Sequence, residues 1–259
     1  MTSGKKARQR RTPAPPPVRS TGGRRASPKV LAIGAGVIAV AAVGAALAFA
    51  LTGNGSGSTS TSVVTGTTLP DAAASTRIFK GIPQHGTVLG KPSAPVTMVE
   101  YIDLQCPICR TFETEIMPSI VRQYVRTGKL RVVARPLAFI SPAENSQRGR
   151  LAALAAGKQG HFFDFAQLLY ANQGSEGSDW LNDDMVRAAL ASIPGLAVQK
   201  ALAAQSSSSI VGETQTIDRQ ATSDQVGGTP TVLVGRTGGT LTKANAGDLG
   251  PAIEAALGQ

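Results

Sequence analysis

The chain has 259 residues and a formal net charge of +10, and 42 % of it is hydrophobic while only 4 % is aromatic. So few rings disfavour a platform that stacks nucleic-acid bases. Two cysteines cannot build a disulfide framework or a four-cysteine zinc site, and the two histidines, His85 and His161, fit no finger spacing.

The charge is unevenly placed. Residues 1–52 carry nine Lys/Arg and no Asp/Glu, which leaves 17 Lys/Arg against 16 Asp/Glu in the remainder. The basic character therefore bears on membrane orientation, not on a nucleic-acid surface. Residues 1–29, rich in Arg, Lys, Pro, Ser and Thr, cannot bury a core and are expected to form a disordered cytoplasmic arm. Val30 to Leu51 is 22 residues without a charge. As a helix it would be about 33 Å long, enough for a hydrocarbon core of about 30 Å. The basic residues before it, and the absence of any charge after it until Asp71, predict a single-pass transmembrane anchor in the cytoplasmic membrane. The N-terminus would be inside and everything beyond Leu51 extracytoplasmic. A cleaved signal peptide is the other reading, because Ala48-Phe49-Ala50 loosely fits a cleavage site, although the run exceeds the roughly 7–15 apolar residues of a signal. Residues 52–75, opening on a Gly/Ser/Thr-rich stretch, read as a flexible linker.

Residues 76–259 are expected to fold as one domain. Thr87 to Leu89 reads as a short edge strand, followed by a turn-rich Lys91–Pro95. Val96 to Ile102 is nearly continuously apolar, as a strand buried on both faces would be, with Glu100 interrupting it. From Pro107 a helical stripe of Cys109, Phe112, Ile116, Ile120 and Tyr124 follows, with Pro118 predicting a kink and Gly128 a C-cap. Leu130 to Leu137 reads as a second buried strand, and the order β, helix, β implies a right-handed crossover with a parallel pair. Residues 143–225 read as mostly helical, with candidate helices at 144–156, 161–171, 183–191, 196–205 and 208–223. Thr231 to Val234 is a strand, Gly235 to Gly239 a hairpin turn, and Thr240 to Thr242 its partner. A last helix over 249–257 has Asp248 as its cap.

The chemistry concentrates in Glu100-Tyr-Ile-Asp-Leu-Gln-Cys106-Pro-Ile-Cys109. A C-x-x-C where a strand passes into a helix reads as a redox dithiol, because unpaired N–H groups and the positive dipole end favour a thiolate there. Cys106 is expected at the helix start, partly exposed, with Cys109 one turn on and facing inward. The bland alternative is a reduced, inert, buried pair. Asp103 reads as a solvated or capping carboxylate, and both histidines as structural or exposed.

The strand, loop and cysteine pair, the helical block of about 80 residues, and the late Gly227-Gly-Thr-Pro-Thr231 together resemble the thioredoxin superfamily, within it the DsbA-like thiol–disulfide oxidoreductases. That resemblance covers about residues 78–259. It implies an α/β thioredoxin-like fold with a helical insertion between a βαβ half and a ββα half, here preceded by one transmembrane helix. It further implies a redox-active Cys106–Cys109 disulfide with Cys106 as nucleophile and Cys109 as resolving thiol. Pro107 would stiffen the motif, Pro230 would be cis and face the sulfurs, and the Thr229 backbone would pair with an incoming peptide. Glu100 matches a buried acid of the superfamily that moves protons to or from Cys109; the other reading is a carboxylate reaching the surface or a salt bridge. Strongly oxidising members carry His between the cysteines, where this chain has Ile108, so a less oxidising pair is expected. The activity implied is extracytoplasmic oxidation of protein thiols, with reductase or isomerase action, or a non-catalytic binding module, as alternatives. The partners implied are protein thiol substrates and a quinone-linked membrane protein that reoxidises the pair; no metal, cofactor or nucleic acid is called for.

Overall fold

A computed structural model describes residues 68–259. The expected arm, the apolar run 30–51 and most of the linker lie outside them, and among the described residues no helix is long and apolar enough to cross a membrane. Order begins earlier than the linker reading allowed. The Leu69 N–H donates to Ser192 Oγ at 2.8 Å, Asn172 Nδ2 donates to the Pro70 carbonyl at 3.0 Å, and helix α1 (Ala72–Phe79) takes in the last four residues assigned to the linker. Phe79 is what ties it down, packed with its ring centroid 5.8 Å from that of Phe163.

The six strands are β1 (Gln84–His85), β2 (Val88–Leu89), β3 (Val96–Ile102), β4 (Leu130–Pro136), β5 (Thr231–Arg236) and β6 (Thr242–Ala244). They form one mixed sheet in the order β1-β2-β4-β3-β5-β6. β3 lies at the centre, parallel to β4 and antiparallel to β5, and all seven of its residues are buried. That placement explains its unbroken apolar run: both faces are covered, so no alternation is left to read. β2 is not an edge strand as expected, because the two-residue β1 pairs outside it. β6 starts two residues later than expected. β5 continues through Arg236, and a Cβ at Gly235 would lie 2.3 Å from the Thr240 carbonyl oxygen, so only glycine lets the returning chain approach there.

The helix between β3 and β4, α2 (residues 107–125), is α-helical over Pro107–Thr111 and Met117–Ile120 and π-helical over Phe112–Ile116 and Val121–Val125. Ahead of Pro118, where a kink was expected, the turn is wound wide, which answers the missing N–H and the clash of the ring with the i−4 carbonyl. Gly128 ends the element at φ +77°, as its sequence position suggested.

The helical block comprises α3 (Ala143–Gly157), α4 (Phe162–Ala171), α5 (Asp183–Ala191), α6 (Val198–Ala204) and α7 (Ser208–Ser223). It sits between the β3-α2-β4 half and the β5-β6-α8 half, α8 being Leu249–Leu257. Asp248 occupies the N-cap position of α8, but its side chain makes no cap bond and accepts from Asn245 Nδ2 at 3.3 Å instead. α7 is latched to the sheet by Asp224, which accepts from the Tyr101 hydroxyl at 2.6 Å and pairs with Arg135 at 2.9 Å.

Gly90 has φ +104°, and a Cβ there would meet the Leu130 carbonyl oxygen at 2.9 Å, whereas Gly81 at φ +78° faces open space. Gly90→Ala should lower the unfolding free energy by about 1–3 kcal/mol in urea titrations, and Gly81→Ala by only about 1 kcal/mol.

Candidate active site

Cys106 is the N-cap residue of α2: its backbone is extended, at φ −73° and ψ 120°, and its sulfur accepts the Cys109 N–H at 3.4 Å. Pro107 at the first helical position has no N–H to leave unpaired, and its fixed φ suits the helix start. Thr229–Pro230 is cis, and the Thr229 carbonyl lies 3.4 Å from the Cys106 sulfur as an acceptor for its thiol hydrogen. The structure thus brings Cys106, Cys109, Pro107, Thr229 and Pro230 together, with both cysteines as free thiols. One expectation is corrected: Cys106 is 3 % exposed, because the Thr229 loop covers its sulfur, while Thr229 and Pro230 themselves remain half-buried.

The two sulfurs differ in environment. A hydrogen bond from the Cys109 thiol is the largest influence lowering the Cys106 pKa to about 6; burial opposes it, and Thr229 and the N–H groups of Cys109 and Ile108 add to it. Burial, then the hydrogen bond to Cys106 and that sulfur's charge, push the Cys109 thiol far up. The pair is therefore one ionisable sulfur under the Thr229 loop and one held protonated beneath it.

Glu100 lies on the face of β3 opposite Tyr101 and is completely buried, and neither carboxyl oxygen has a hydrogen-bond partner. The salt-bridge and surface readings of this residue are thereby overturned, and burial raises its pKa to about 8. A second acid was not anticipated. Glu113, four residues beyond Cys109 on the same inward stripe, is buried with Oε1 unpartnered, and its pKa is pushed well up by burial and by Glu100. The i to i+4 spacing from Cys109 was the available signal.

Asp103 is neither solvated nor a simple helix cap. It is fully buried, and its carboxylate accepts from the N–H groups of Gln105 (2.9 Å), Phe139 (2.6 Å) and Ile140 (2.9 Å) and from Ser146 Oγ (2.8 Å). Gln173 Nε2 donates to the carbonyls of Leu104 and Cys106, and the Tyr170 hydroxyl to that of Asp103, so α4 and the residues after it hold the cysteine loop from behind. Apart from Gln105, these partners lie more than 30 positions along the chain from Asp103, which is why the motif alone did not suggest them. His85 is exposed on β1 and His161 pairs with Asp164 at 2.9 Å; neither joins the cysteines.

A sulfur capping a helix at the end of a central strand, faced by a cis-proline loop, defines a thioredoxin-fold dithiol protein. Comparison with known proteins agrees: the family model described as Thioredoxin matches residues 83–245, and the chain belongs to that family. It is similar to disulfide bond formation protein D of Bacillus subtilis, 31 % identical over 121 residues that are 45 % of this chain and 50 % of that protein. The probable disulfide bond formation protein D of Bacillus cereus is 33 % identical over 100 residues, 38 % of this chain and 45 % of that one. The chain thus spans about half the length of the curated relatives it matches. Among solved structures, oxidised BdbD from Bacillus subtilis superposes with a TM-score of 0.59 at 21 % identity, covering 69 % of this chain and 98 % of that one. DsbA of Chlamydia trachomatis gives 0.56 at 18 %, covering 65 % and 90 %. At those identities the likeness is one of fold.

Two measurements check the electrostatics. Alkylation of reduced protein should titrate with a midpoint near pH 6 at Cys106, and the midpoint should rise in Cys109→Ala, which removes the main donor. For Glu100 the sign runs the other way from a paired carboxylate: its pKa is higher folded than unfolded. Its contribution to stability is complete below the unfolded value of 4.5 and is lost as pH rises toward about 8. Thermal melts of the native chain should fall across that window, and Glu100→Gln should flatten the slope.

Proposed function

We propose that the chain is a protein thiol–disulfide oxidoreductase that donates the Cys106–Cys109 disulfide to substrate thiols. The observation that carries this reading is the Cys106 sulfur itself, set as the N-cap of α2 with its pKa drawn down to about 6. The relatives named for disulfide bond formation support the oxidising direction.

In the proposed reaction a substrate thiolate attacks Cys106 Sγ of the oxidised pair. A Cys106–substrate bond forms, the Cys106–Cys109 bond breaks, and the electron pair leaves on the Cys109 sulfur. That thiolate takes up a proton, as its raised pKa demands. Glu100, buried as the acid on β3, is the proposed proton donor. A second substrate thiolate then attacks the substrate sulfur of the mixed disulfide and expels Cys106, a good leaving group because its thiolate is stabilised. The substrate has lost two electrons and the protein holds two thiols. A quinone-linked membrane protein is the proposed oxidant that restores the disulfide.

Pro107 fixes the start of α2, and Thr229-Pro230 lines the approach to the sulfur, with the Thr229 backbone offered to an extended segment in the manner of strand addition. The two most exposed large apolar side chains among the described residues are Ile108, at 67 %, and Phe139, at 51 %. Ile108 follows Cys106 by two positions, and Phe139 is bonded to the same loop through Asp103. An unfolded, apolar segment carrying the thiol is the substrate that such a surface fits. Ile108 adds no charge or donor to the sulfur, so the pair is proposed to be less oxidising than those with His at that position. The domain is proposed to act outside the cytoplasmic membrane, held by the apolar run 30–51 behind a basic cytoplasmic arm 1–29 and a linker that ends by about residue 71.

In Cys109→Ala protein, mixed disulfides with substrate proteins should accumulate through Cys106 and disappear on reduction, while Cys106→Ala should trap none. A wild-type pair unable to oxidise a dithiol peptide would end this reading. Phe139→Ala should raise KM for an apolar dithiol peptide about 3–10-fold, in line with covering the exposed half of one large side chain, with kcat little changed.

A further inference from the structure

Asp103 is more heavily bonded than a loop turn requires. Its carboxylate is fully buried and no cation pairs with it among the described residues, an arrangement tolerated only where donors surround the charge. Four do: the N–H of Gln105 within the cysteine loop, the consecutive N–H groups of Phe139 and Ile140 after β4, and the Ser146 hydroxyl at the start of α3. Every one of these partners gives a hydrogen, and the three backbone N–H groups, which flank both carboxylate oxygens, can accept none. An asparagine in any orientation would turn its own N–H₂ against a donor, so the position calls for an anion, not merely a polar side chain. The main chain of the same residue continues the connection, because the Asp103 carbonyl accepts the Cys106 N–H at 3.0 Å. Gln105 reinforces it by donating through Nε2 to Ser146 Oγ at 2.9 Å and to the Pro142 carbonyl at 3.0 Å. One residue therefore stands between the reactive sulfur and the loop that displays Phe139.

We infer that Asp103 is a positioning residue that joins the Cys106 loop and the Phe139 loop into one unit, so that an apolar substrate segment held at Phe139 presents its sulfur to Cys106 in fixed register. The inference rests on the thiol–disulfide reading above and assigns how that site recognises its substrate. The carboxylate touches no reacting atom; it fixes the separation between the two places a substrate must touch. A small thiol such as glutathione, which needs only the sulfur, gains nothing from it.

The test uses the full chain with Ser146→Ala, which removes one donor and keeps the carboxylate, alongside Asp103→Asn and each of these combined with Phe139→Ala. For an apolar dithiol peptide, Ser146→Ala should lower kcat/KM about 3-fold and Asp103→Asn about tenfold, a coupling of the size expected for residues in one network. Reduction of the Cys106–Cys109 disulfide by glutathione should change less than about twofold in Ser146→Ala by the same reasoning. In the Phe139→Ala background the peptide penalties of both substitutions should vanish. Equal penalties for peptide and glutathione, or penalties that persist without Phe139, would overturn the inference and reduce Asp103 to a structural capping group. Amide hydrogen exchange supplies a readout that needs no turnover. Ser146→Ala should speed exchange at Gln105, Cys106, Phe139 and Ile140 together while leaving β3 unchanged, and acceleration confined to residues 139–140 would equally sink the joint unit. Failure of the wild type to oxidise the peptide would instead strike the proposed activity, leaving the exchange data to decide on Asp103.

Discussion

A helix start leaves several N–H groups without partners, and ordinarily an oxygen of Ser, Thr, Asp or Asn answers one of them. Here a sulfur does. The Cys109 N–H donates to Cys106 Sγ, and the same contact that caps α2 places the sulfur at the positive end of the helix. Capping adds to activation, since an acceptor bonded in this way is better accepted as an anion than as a thiol, while the hydrogen bond from the Cys109 thiol supplies the larger part. The rest of the site can be read as what is needed to keep that sulfur in place. β3 fixes where the loop begins, Asp103 closes the turn through Cys106, Gln173 holds the loop carbonyls, and the Thr229–Pro230 loop covers the open side.

The pair works by contrast between its members. Lowering Cys106 from 9.0 to about 6 favours the reduced protein, by about 1.4 kcal/mol for each unit, or nearly 30 mV in a two-electron couple. Cys109, fully buried one turn on, is pushed in the opposite direction by the same geometry, because the hydrogen bond that helps one sulfur ionise holds the proton of the other. The partner thiol and the helix N–H groups, that of Ile108 included, produce this asymmetry without any help from the Ile108 side chain, which is 67 % exposed. The departure from His-bearing sequences therefore removes one contribution to thiolate stability and leaves the main ones standing.

Local chemistry was legible in the sequence and long-range closure was not. The limits of β3, α5, α7 and α8 follow from apolar runs, helical spacing and turn residues, and the structure has them where those signals put them. The cysteine pair and the Thr-Pro before β5 stand as expected because each is marked by its own residues. α1 and β1 carried no such mark. A short helix beginning inside a linker-like stretch, and a strand of two residues, are decided by what they pack against. Asp103 is the sharpest case. A carboxylate in a loop is ordinarily solvated, and only the arrival of Phe139, Ile140 and Ser146, between 36 and 43 positions away, turns it into the buried centre of the site. Glu113 was half legible, since its spacing from Cys109 and the acid Glu100 on β3 were both visible, but the approach of the one to the other was not.

Those two acids bear on why the layer beneath the cysteines is built as it is. Burying an ionised carboxylate without partners is prohibitive, so Glu100 and Glu113, whose unpaired oxygens lie in the apolar interior, answer by holding their protons. Two neutral acids weaken the fold relative to well-packed aliphatic residues, and both lie where the electron pair would depart when a disulfide at Cys106 is opened. A Cys109 thiolate formed in that layer is disfavoured first by burial and then by the hydrogen bond to Cys106 and that sulfur's charge. Such a charge is relieved by uptake of a proton, and Glu100, proposed above as the donor, is buried in the same interior. In the proposed exchange a buried, protonated acid offsets the poor leaving ability of the Cys109 sulfur, which links the burial that costs the fold stability to the chemistry at the sulfur above it.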